Sequence, residues 1–179
     1  ELKGQISDAE EDSVINLTND YVTTSSCSIE ISNSLTIDGQ GHTIDCSGNN
    51  QYLFMSHSGQ ITLKNLIIKN CKNTDSKIGG AIFIKTPSQW TIINCTFENN
   101  GAKNYGGAIY NDNLEGTLTV TDSTFKNNKA DSESGGAIFS KGEVAIEDCY
   151  FEGNTAYVDA GAIFCQKGAE ITGTEFIDN

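Results

Sequence analysis

Cysteine is the residue type in this chain that could most directly do chemistry. The 179 residues include six cysteines, an even number that is compatible with disulfides formed in an oxidising compartment. Zinc binding is the other chemistry open to thiols, but the chain has no Cys-x-x-Cys pair, and its two histidines do not stand at zinc-ligand spacing. We therefore expect no metal site and no cofactor.

Carboxylates are the second group that could do chemistry. The chain has 24 acidic residues against 11 basic ones, all of them lysine, and its net charge is −13. Because a pair of carboxylates can hydrolyse a glycosidic bond, a carbohydrate-active enzyme that acts on polysaccharide is one interpretation. A strongly anionic surface, however, is poorly suited to anionic sugars, nucleic acid and anionic membranes. We expect no catalysis, no nucleic-acid partner and no membrane insertion.

Two short sequence cassettes recur along the chain, and the fold that they build must position the cysteines and the carboxylates. The first is Gly-Gly-Ala-Ile, which recurs at steps of about 25 to 29 residues, and the second is Phe-x-x-Asn, which follows about 15 residues later. The second glycines and the phenylalanines are Gly80, Gly107, Gly136, Gly161, Phe97, Phe125, Phe151 and Phe176. A fixed period of this size indicates a solenoid, in which each unit buries its apolar face against the next.

The residues before each phenylalanine alternate between apolar and polar, as in residues 118–125 and 144–151. A period of two with many β-branched residues is typical of strands. A coil of this length with two or three short strands is a parallel β-helix, whereas an antiparallel sandwich would not need identical side chains at identical positions. We predict an all-β fold of about six coils, from near Ile15 to Asn179, in a single repeat domain over residues 13–179.

Residues 1–12 differ from the repeat. Leu2, Ile6 and Ala9 have a weakly helical spacing, and an acidic run follows them. We interpret this segment as an N-terminal cap, because a short amphipathic helix would cover the unpaired backbone edge of the first coil. An unstructured end is the alternative.

The glycine and asparagine positions are interpreted as structural. A glycine at the same place in every coil indicates either a backbone angle open only to glycine or too little room for a Cβ beneath the next coil. Asn and Asp recur at two turn positions, where they can bond the turn backbone and one another: Asn65, Asn94, Asp122 and Asp148, and then Asn100, Asn128, Asn154 and Asn179. Calcium ligation is the alternative, although an asparagine ladder is a poor calcium site.

An aromatic residue follows the isoleucine of every glycine cassette: Phe83, Tyr110, Phe139 and Phe164. Strand alternation puts these rings on the face opposite the isoleucine. If the isoleucine points inward, the rings form an outward aromatic ladder that could bind sugars or a partner protein. In the other orientation, the rings stack inside the core.

The cysteines can be sorted by their place in the repeat. Ile44 and Ile68 take the place of the phenylalanine in earlier coils, and Cys46 and Cys71 follow them closely. We expect these two cysteines to form a disulfide, with Cys27 as a competing partner for Cys46. Cys95 and Cys149, in contrast, should both point inward at about 9 to 10 Å from each other, two strand spacings apart. Because bonded Cα atoms lie within about 7 Å, these two are predicted to be buried free thiols.

The pairing of Gly-Gly-Ala-Ile with Phe-x-x-Asn resembles the repeats of chlamydial polymorphic outer membrane proteins. Together with residues 34–44, Ser-Leu-Thr-Ile-Asp-Gly-Gln-Gly-His-Thr-Ile, it is also similar to adhesin-like surface proteins of methanogenic archaea and some protists. The resemblance covers about residues 13–179 and implies a right-handed parallel β-helix that is exported to the cell surface and has an adhesive or structural role. Ala160 departs from the pattern, since it replaces the first glycine of the fourth copy.

Three further features bear on location and assembly. The chain begins with Glu1 rather than Met, so we expect any signal peptide to have been removed or left out, and no apolar run is long enough to span a bilayer. Two Asn-x-Thr sequons, at Asn16 and Asn94, could be glycosylated in a secreted protein. The repeat is still in phase at Asn179, from which we expect further coils or end-to-end self-association into a filament.

We therefore expect an extracellular or cell-surface module with an adhesive or structural function. Its expected partners are glycans, surface proteins or other copies of itself. Ice binding is a further alternative, because outward threonine rows can form a flat, regular array, but Lys64, Glu147 and Glu170 interrupt that array. An enzyme should instead show one cleft with a constellation of charged or polar residues.

Overall fold

The computed structural model describes residues 2–23, 25–47, 51–74 and 78–179. Apart from one short helix, the regular structure of these residues consists of short strands, and paired strands run parallel. Strands at equivalent positions of successive coils are neighbours in one sheet, so the chain winds into a parallel β-helix of about six turns. The predicted fold class is confirmed.

The strands of the described residues form four sheets, and each coil contributes at most one strand to each sheet. The first sheet consists of β1 (Ser13–Asn16), β4 (Leu35–Asp38), β7 (Gln60–Lys64), β11 (Gln89–Ile93), β15 (Thr117–Thr121), β19 (Glu143–Glu147) and β23 (Ala169–Thr172). The second sheet consists of β2 (Tyr21–Val22), β5 (Thr43–Asp45), β8 (Ile67–Lys69), β12 (Thr96–Glu98), β16 (Thr124–Lys126), β20 (Tyr150–Glu152) and β24 (Glu175–Ile177).

Two smaller sheets complete each coil. The third sheet consists of β9 (Lys72–Asn73), β13 (Gly101–Ala102), β17 (Lys129–Ala130) and β21 (Thr155–Ala156). The fourth sheet consists of β3 (Ile29–Ile31), β6 (Phe54–Ser56), β10 (Ile82–Ile84), β14 (Ile109–Asn111), β18 (Ile138–Ser140) and β22 (Ile163–Cys165). A full coil therefore passes through the first, second, third and fourth sheets in turn.

Alternation within the strands builds the core. In β7, β11 and β15 the second and fourth residues are buried, while the residue between them lies on the outer face. Pairing in register then puts apolar side chains directly above one another, as with Leu63, Ile92 and Val120. Because each coil buries its apolar face only against its neighbours, the stack is stabilised as a whole.

The phenylalanines of the second cassette form a stack on the inner side of the second sheet. Phe97, Phe125 and Phe151 are fully buried, and successive rings lie nearly parallel with centroids 4.9 and 4.7 Å apart. Phe176 continues the stack at 5.0 Å. Since neighbouring strands lie about 4.7–4.9 Å apart, the ring spacing follows from the backbone. Ile68 occupies the same column one coil earlier, as the sequence predicted.

A six-residue helix, α1 (Leu2–Ser7), precedes the first strand and packs on β3. Its apolar residues Leu2 and Ile6 are buried, and the residues between them are exposed. Since β3 is the edge strand of the fourth sheet, the helix covers an edge that could otherwise pair with a foreign strand. The helix lies within the segment interpreted as a cap, and β1 begins at Ser13.

Candidate functional surfaces

The two glycines of the first cassette are needed for different reasons. A Cβ built on Gly107 would lie 2.1 Å from the carbonyl oxygen of Gly136 in the next coil, so the second glycine is required by crowding between coils. The corresponding closest backbone contacts are 1.9 Å at Gly80, 2.0 Å at Gly136 and 2.6 Å at Gly161. The first glycine instead has a positive φ, 65° at Gly106. Ala160 adopts the same conformation with a φ of 55°, so the fourth copy keeps the turn with some backbone strain.

The asparagines of the second cassette form a hydrogen-bonded ladder inside the solenoid. Asn100, Asn128 and Asn154 are fully buried. Nδ2 of Asn100 donates to Oδ1 of Asn128 at 3.1 Å, and the same bond joins Asn128 to Asn154 at 2.9 Å and Asn154 to Asn179 at 2.7 Å. Nδ2 of Asn128 also donates to the carbonyl oxygen of Phe97 in the preceding coil. The buried amide groups therefore have the partners that burial demands.

A disulfide stands at the end of this ladder. It joins Cys46 to Cys71 across neighbouring coils, the pair expected from the sequence, and both residues are fully buried. Cys71 occupies the place that Asn100 takes in the next coil, and its backbone N–H donates to Oδ1 of Asn100 at 3.0 Å. The covalent link thus holds together the coils in which the ladder asparagine is missing. Closing a loop in the unfolded chain is the main source of its stabilising effect.

A second Asn and Asp column, here called the turn column, lies between the first and second sheets. Its members have φ values between 49° and 53°: Asn65, Asn94, Asp122 and Asp148. Asn94 donates to Asn65 at 2.9 Å, and Asn65 donates to Asp38 at 3.0 Å. Burial alone would raise the pKa of Asp38, but the hydrogen bonds that its carboxylate accepts from Asn65 and from the backbone N–H of Gln40, together with the Lys64 ammonium 3.1 Å away, hold the pKa below its ordinary value. The turn column is therefore polar and outward, in contrast to the buried ladder.

Cys95 and Cys149 lie on the inner side of the same turn as buried free thiols. They alternate with hydroxyl residues in one column. The N–H of Cys95 donates to Oγ of Ser123 at 3.1 Å, and the N–H of Ser123 donates to Sγ of Cys149 at 3.4 Å. Each thiol thus occupies a position that a serine fills in the neighbouring coil. Desolvation raises the pKa of Cys95 to about 12 and also raises that of Cys149.

We expect Cys95 to resist alkylation in the folded protein. At pH 8 a thiol with a pKa of about 12 is thiolate to about one part in ten thousand, and only the thiolate reacts. Native protein exposed to iodoacetamide should remain unmodified at Cys95 by peptide mass spectrometry, whereas protein in urea should be labelled in the same time. The half-buried Cys165 serves as the internal control. Equal labelling rates of Cys95 with and without urea would contradict this burial.

The four aromatic residues of the predicted ladder lie on the outer face of the fourth sheet. The cassette isoleucines, such as Ile109 and Ile138, point into the core. The ring of Tyr110 stacks on Phe139 at 5.4 Å, and Phe139 stacks on Phe164 at 5.0 Å. Phe83 meets Tyr110 edge-on at 5.5 Å. The rings therefore form one continuous outer column.

Of the two orientations left open by the sequence, the outward one is observed, but the column is not an exposed stripe at its centre. Tyr110 and Phe139 are only 6% and 4% exposed, while Phe83 and Phe164 are half-buried. Tyr105 contacts both central rings, with centroid distances of 6.2 and 4.6 Å. Because Tyr105 belongs to a connection between the third and fourth sheets, such loops cover the rings from outside. The column works as a second apolar cluster rather than as a free binding surface.

The outer face of the first sheet carries what we call the threonine column. Thr36, Thr62, Thr91 and Thr119 stand in register on four successive coils. Ala145 and Glu170 continue this position in the next two coils, so the uncharged hydroxyl run ends there. The neighbouring outer position is mixed, with Asp38, Lys64, Ile93, Thr121 and Glu147 in register.

The outer face of the second sheet carries charges that alternate in sign. In register they are Asp45, Lys69, Glu98, Lys126 and Glu152. Lys126 pairs with Glu152 at 2.8 Å, and Lys69 with Asp45 at 3.6 Å. This column was not predicted from the sequence, although a signal was present. From Ile44 to Phe151, the residue directly after each stacked Ile or Phe alternates in sign along the chain.

The surface of the described residues carries open grooves. A groove of about 440 Å³ lies beside the turn column between Gly41, Ile67 and Thr96. Another, of about 340 Å³, lies over Ala145 on the first sheet. Among the described residues, no three His, Cys, Asp or Glu side chains could together hold a metal ion. In the same part of the chain, no helix has the length and apolar character needed to cross a membrane.

Both sequon asparagines lie on the surface. Asn16 is the last residue of β1, and its Oδ1 accepts a hydrogen bond from Nε2 of Gln40 at 3.2 Å. Asn94 lies in the turn column. The two sites therefore differ in backbone conformation and in the space around them.

Comparison with known proteins agrees with the repeat architecture. A probable autotransporter, YfaL, of Escherichia coli K12 is 37% identical over 97 residues, which are 51% of this chain and 8% of that protein. The metabotropic glutamate receptor-like protein R of Dictyostelium discoideum is 36% identical over 104 residues, which are 58% of this chain and 6% of that protein. The chain thus spans less than a tenth of either relative's length.

No solved structure matches the chain significantly. The family model described as "right handed beta helix region" matches residues 8–179. Because that match covers nearly the whole chain, the protein belongs to the right-handed β-helix family.

Proposed function

We propose that this β-helix is a non-catalytic module of the cell surface or extracellular space, with an adhesive or structural role. The observation that carries the proposal is the threonine column, in which one side chain repeats at the spacing of the coils. Relatives described as an autotransporter and a receptor-like protein support such a location. The two cassettes support placing the chain near the polymorphic outer membrane protein repeats.

A repeating surface favours a repeating ligand. The threonine hydroxyls stand about 4.8 Å apart along the stack and can bond a polymer that lies parallel to it. β-branched side chains are stiff, so ordering them on binding costs little entropy. Because the chain carries a net charge of −13 and the threonine column itself is neutral, we infer that its glycan partners are neutral rather than acidic.

The test is a glycan array together with a panel of neutral and acidic polysaccharides assayed for depolymerisation. The double variant Thr62→Glu/Thr91→Glu places two charges in the threonine column, and Thr155→Glu places one on the exposed part of the third sheet as a control. We expect the double variant to lose at least tenfold in affinity for neutral glycans, the control to bind normally, and no new reducing ends to form. Reducing ends that accumulate with time would show an enzyme instead. Binding unaffected by the double variant would place the ligand elsewhere.

We also propose contact through the ends of the solenoid, either with further coils of a longer chain or with another copy, which could build a filament. At the N-terminal end, α1 packs on β3, whereas β1 and β2 are the edge strands of the first and second sheets, and each pairs with one strand only among the described residues. These uncovered edges support the proposal, because unpaired strand edges invite pairing. A strictly monomeric species in sedimentation velocity up to high concentration would count against self-association.

A further inference from the structure

We propose that Asn94 is a site of N-glycosylation, a modification independent of the binding role proposed above. The sequon Asn94-Cys95-Thr96 lies between the end of β11 and the start of β12. The left-handed conformation of Asn94 separates the three side chains. Asn94 is exposed, Cys95 is buried, and Thr96 lies half-buried on the outer face. The amide and the hydroxyl that the modifying enzyme recognises therefore both face outward.

The hydrogen bonding of Asn94 is compatible with a sugar. Its Nδ2 group has two hydrogens, and one of them donates to Oδ1 of Asn65 at 2.9 Å. Glycosylation replaces one hydrogen and leaves the other, so the bond to Asn65 can persist in the modified protein. Within the described residues, the Thr96 hydroxyl and Oδ1 of Asn94 have no hydrogen-bond partner. Glycosylation would therefore break no hydrogen bond of the Thr96 hydroxyl or of Oδ1 of Asn94.

The space around Asn94 can hold a first sugar residue. Asn94 and Thr96 both line the groove of about 440 Å³ beside the turn column. Gly41 forms part of its wall, and a Cβ built there would meet no atom within 4 Å. Ile67, which is half-buried and outward, offers an apolar surface on which a sugar ring can pack.

The chemistry requires an activated donor of the secretory pathway, a lipid-diphosphate-linked oligosaccharide. The amide nitrogen attacks the anomeric carbon and a carbon–nitrogen bond forms. The bond from that carbon to the diphosphate oxygen breaks, the lipid diphosphate leaves with the electron pair, and the amide loses one proton. The chain itself supplies only the acceptor.

The other sequon is less well placed. The hydroxyl of Thr18 donates to Oδ1 of Asn19 at 3.1 Å, and Oδ1 of Asn16 is already bonded to Gln40. Asn16 also lies within a regular strand rather than at a turn beside a groove. Asn16→Gln is therefore the matched control for Asn94→Gln.

The test is expression of the whole chain with a secretion signal in insect cells, followed by intact-mass and peptide analysis. We expect one glycan on the secreted protein. When this glycan is released enzymatically in heavy-oxygen water, the peptide that contains residue 94 should show a mass shift at that residue. Asn94→Gln and Thr96→Val should each abolish it, whereas Asn16→Gln and Thr96→Ser should keep it, with circular dichroism to verify folding. An unmodified residue 94 in the secreted, folded chain would overturn the proposal, and so would a glycan pattern that Asn94→Gln leaves unchanged.

Discussion

Gly107→Ala should lower the free energy of unfolding by about 3 kcal/mol or more, the upper range for overpacking in a closely packed interior. The added Cβ would lie 2.1 Å from the carbonyl oxygen of Gly136 and 2.4 Å from the amide nitrogen of Lys129. Both are backbone atoms of the next coil, so no change of rotamer can relieve the clash. The two coils must move apart, which weakens the hydrogen bond from the Gly107 N–H to the Gly135 carbonyl, now 3.2 Å long.

The matched control is Gly168→Ala. A Cβ at Gly168 meets no atom within 4 Å, so the change should stay within about 1 kcal/mol, and it can even stabilise by restricting the unfolded chain. Urea unfolding followed by the fluorescence of Trp90, the single tryptophan and only 1% exposed, would measure both variants. Equal midpoints for the two alanine variants would mean that crowding is not why glycine recurs in this column.

Much of the coil register could be predicted because side chains that stack must match in size and polarity. The phenylalanine cassette alone aligned Ile44 and Ile68 with Phe97, and the structure places all three in one column. Alternation counted back from Phe97 and Phe151 also put Cys95 and Cys149, which directly precede β12 and β20, on the inner side. Within a strand, therefore, one residue of known direction is enough to orient its neighbours.

What lies beyond the strand ends could not be predicted in this way. Between Phe125 and Asn128, Asn127 has a φ of 53°, and a left-handed residue changes the direction of the side chains that follow. The recurrence of Asn128 was visible in the sequence, but its complete burial was not. The burial of Tyr110 could not be predicted for a related reason. Its ring is covered by Tyr105, which belongs to a connecting loop, and loops have no periodic pattern from which their position can be predicted.

Asn128→Ala is expected to lower the free energy of unfolding by about 3 kcal/mol, although it removes only a small side chain. Oδ1 of Asn128 accepts hydrogen bonds from the backbone N–H and from Nδ2 of Asn100, at 3.0 and 3.1 Å, and Nδ2 of Asn128 donates to the Phe97 carbonyl at 3.0 Å. Nδ2 also donates to Oδ1 of Asn154 at 2.9 Å. Alanine therefore takes a partner from two donors and two acceptors in the interior, and each buried group left unsatisfied costs about 1–3 kcal/mol. Asn104→Ala, at a half-buried loop position outside the ladder, should stay within about 0.5 kcal/mol.

Asn128→Asp separates the two hydrogen-bonding roles of this side chain. A carboxylate can still accept from Asn100, but it cannot donate to Phe97 or Asn154, and burial raises its pKa above that of the unfolded chain. The folded state therefore favours the protonated form. The stability deficit relative to wild type should be smallest below the unfolded pKa of about 4 and should grow as the pH rises through the folded pKa.

Urea unfolding of wild type, the Ala variant and the Asp variant at about pH 3.5 and pH 7 would measure this change in the deficit. Only the deficit of the Asp variant should depend on pH, and a deficit equal at both values would mean that the ladder tolerates a buried charge.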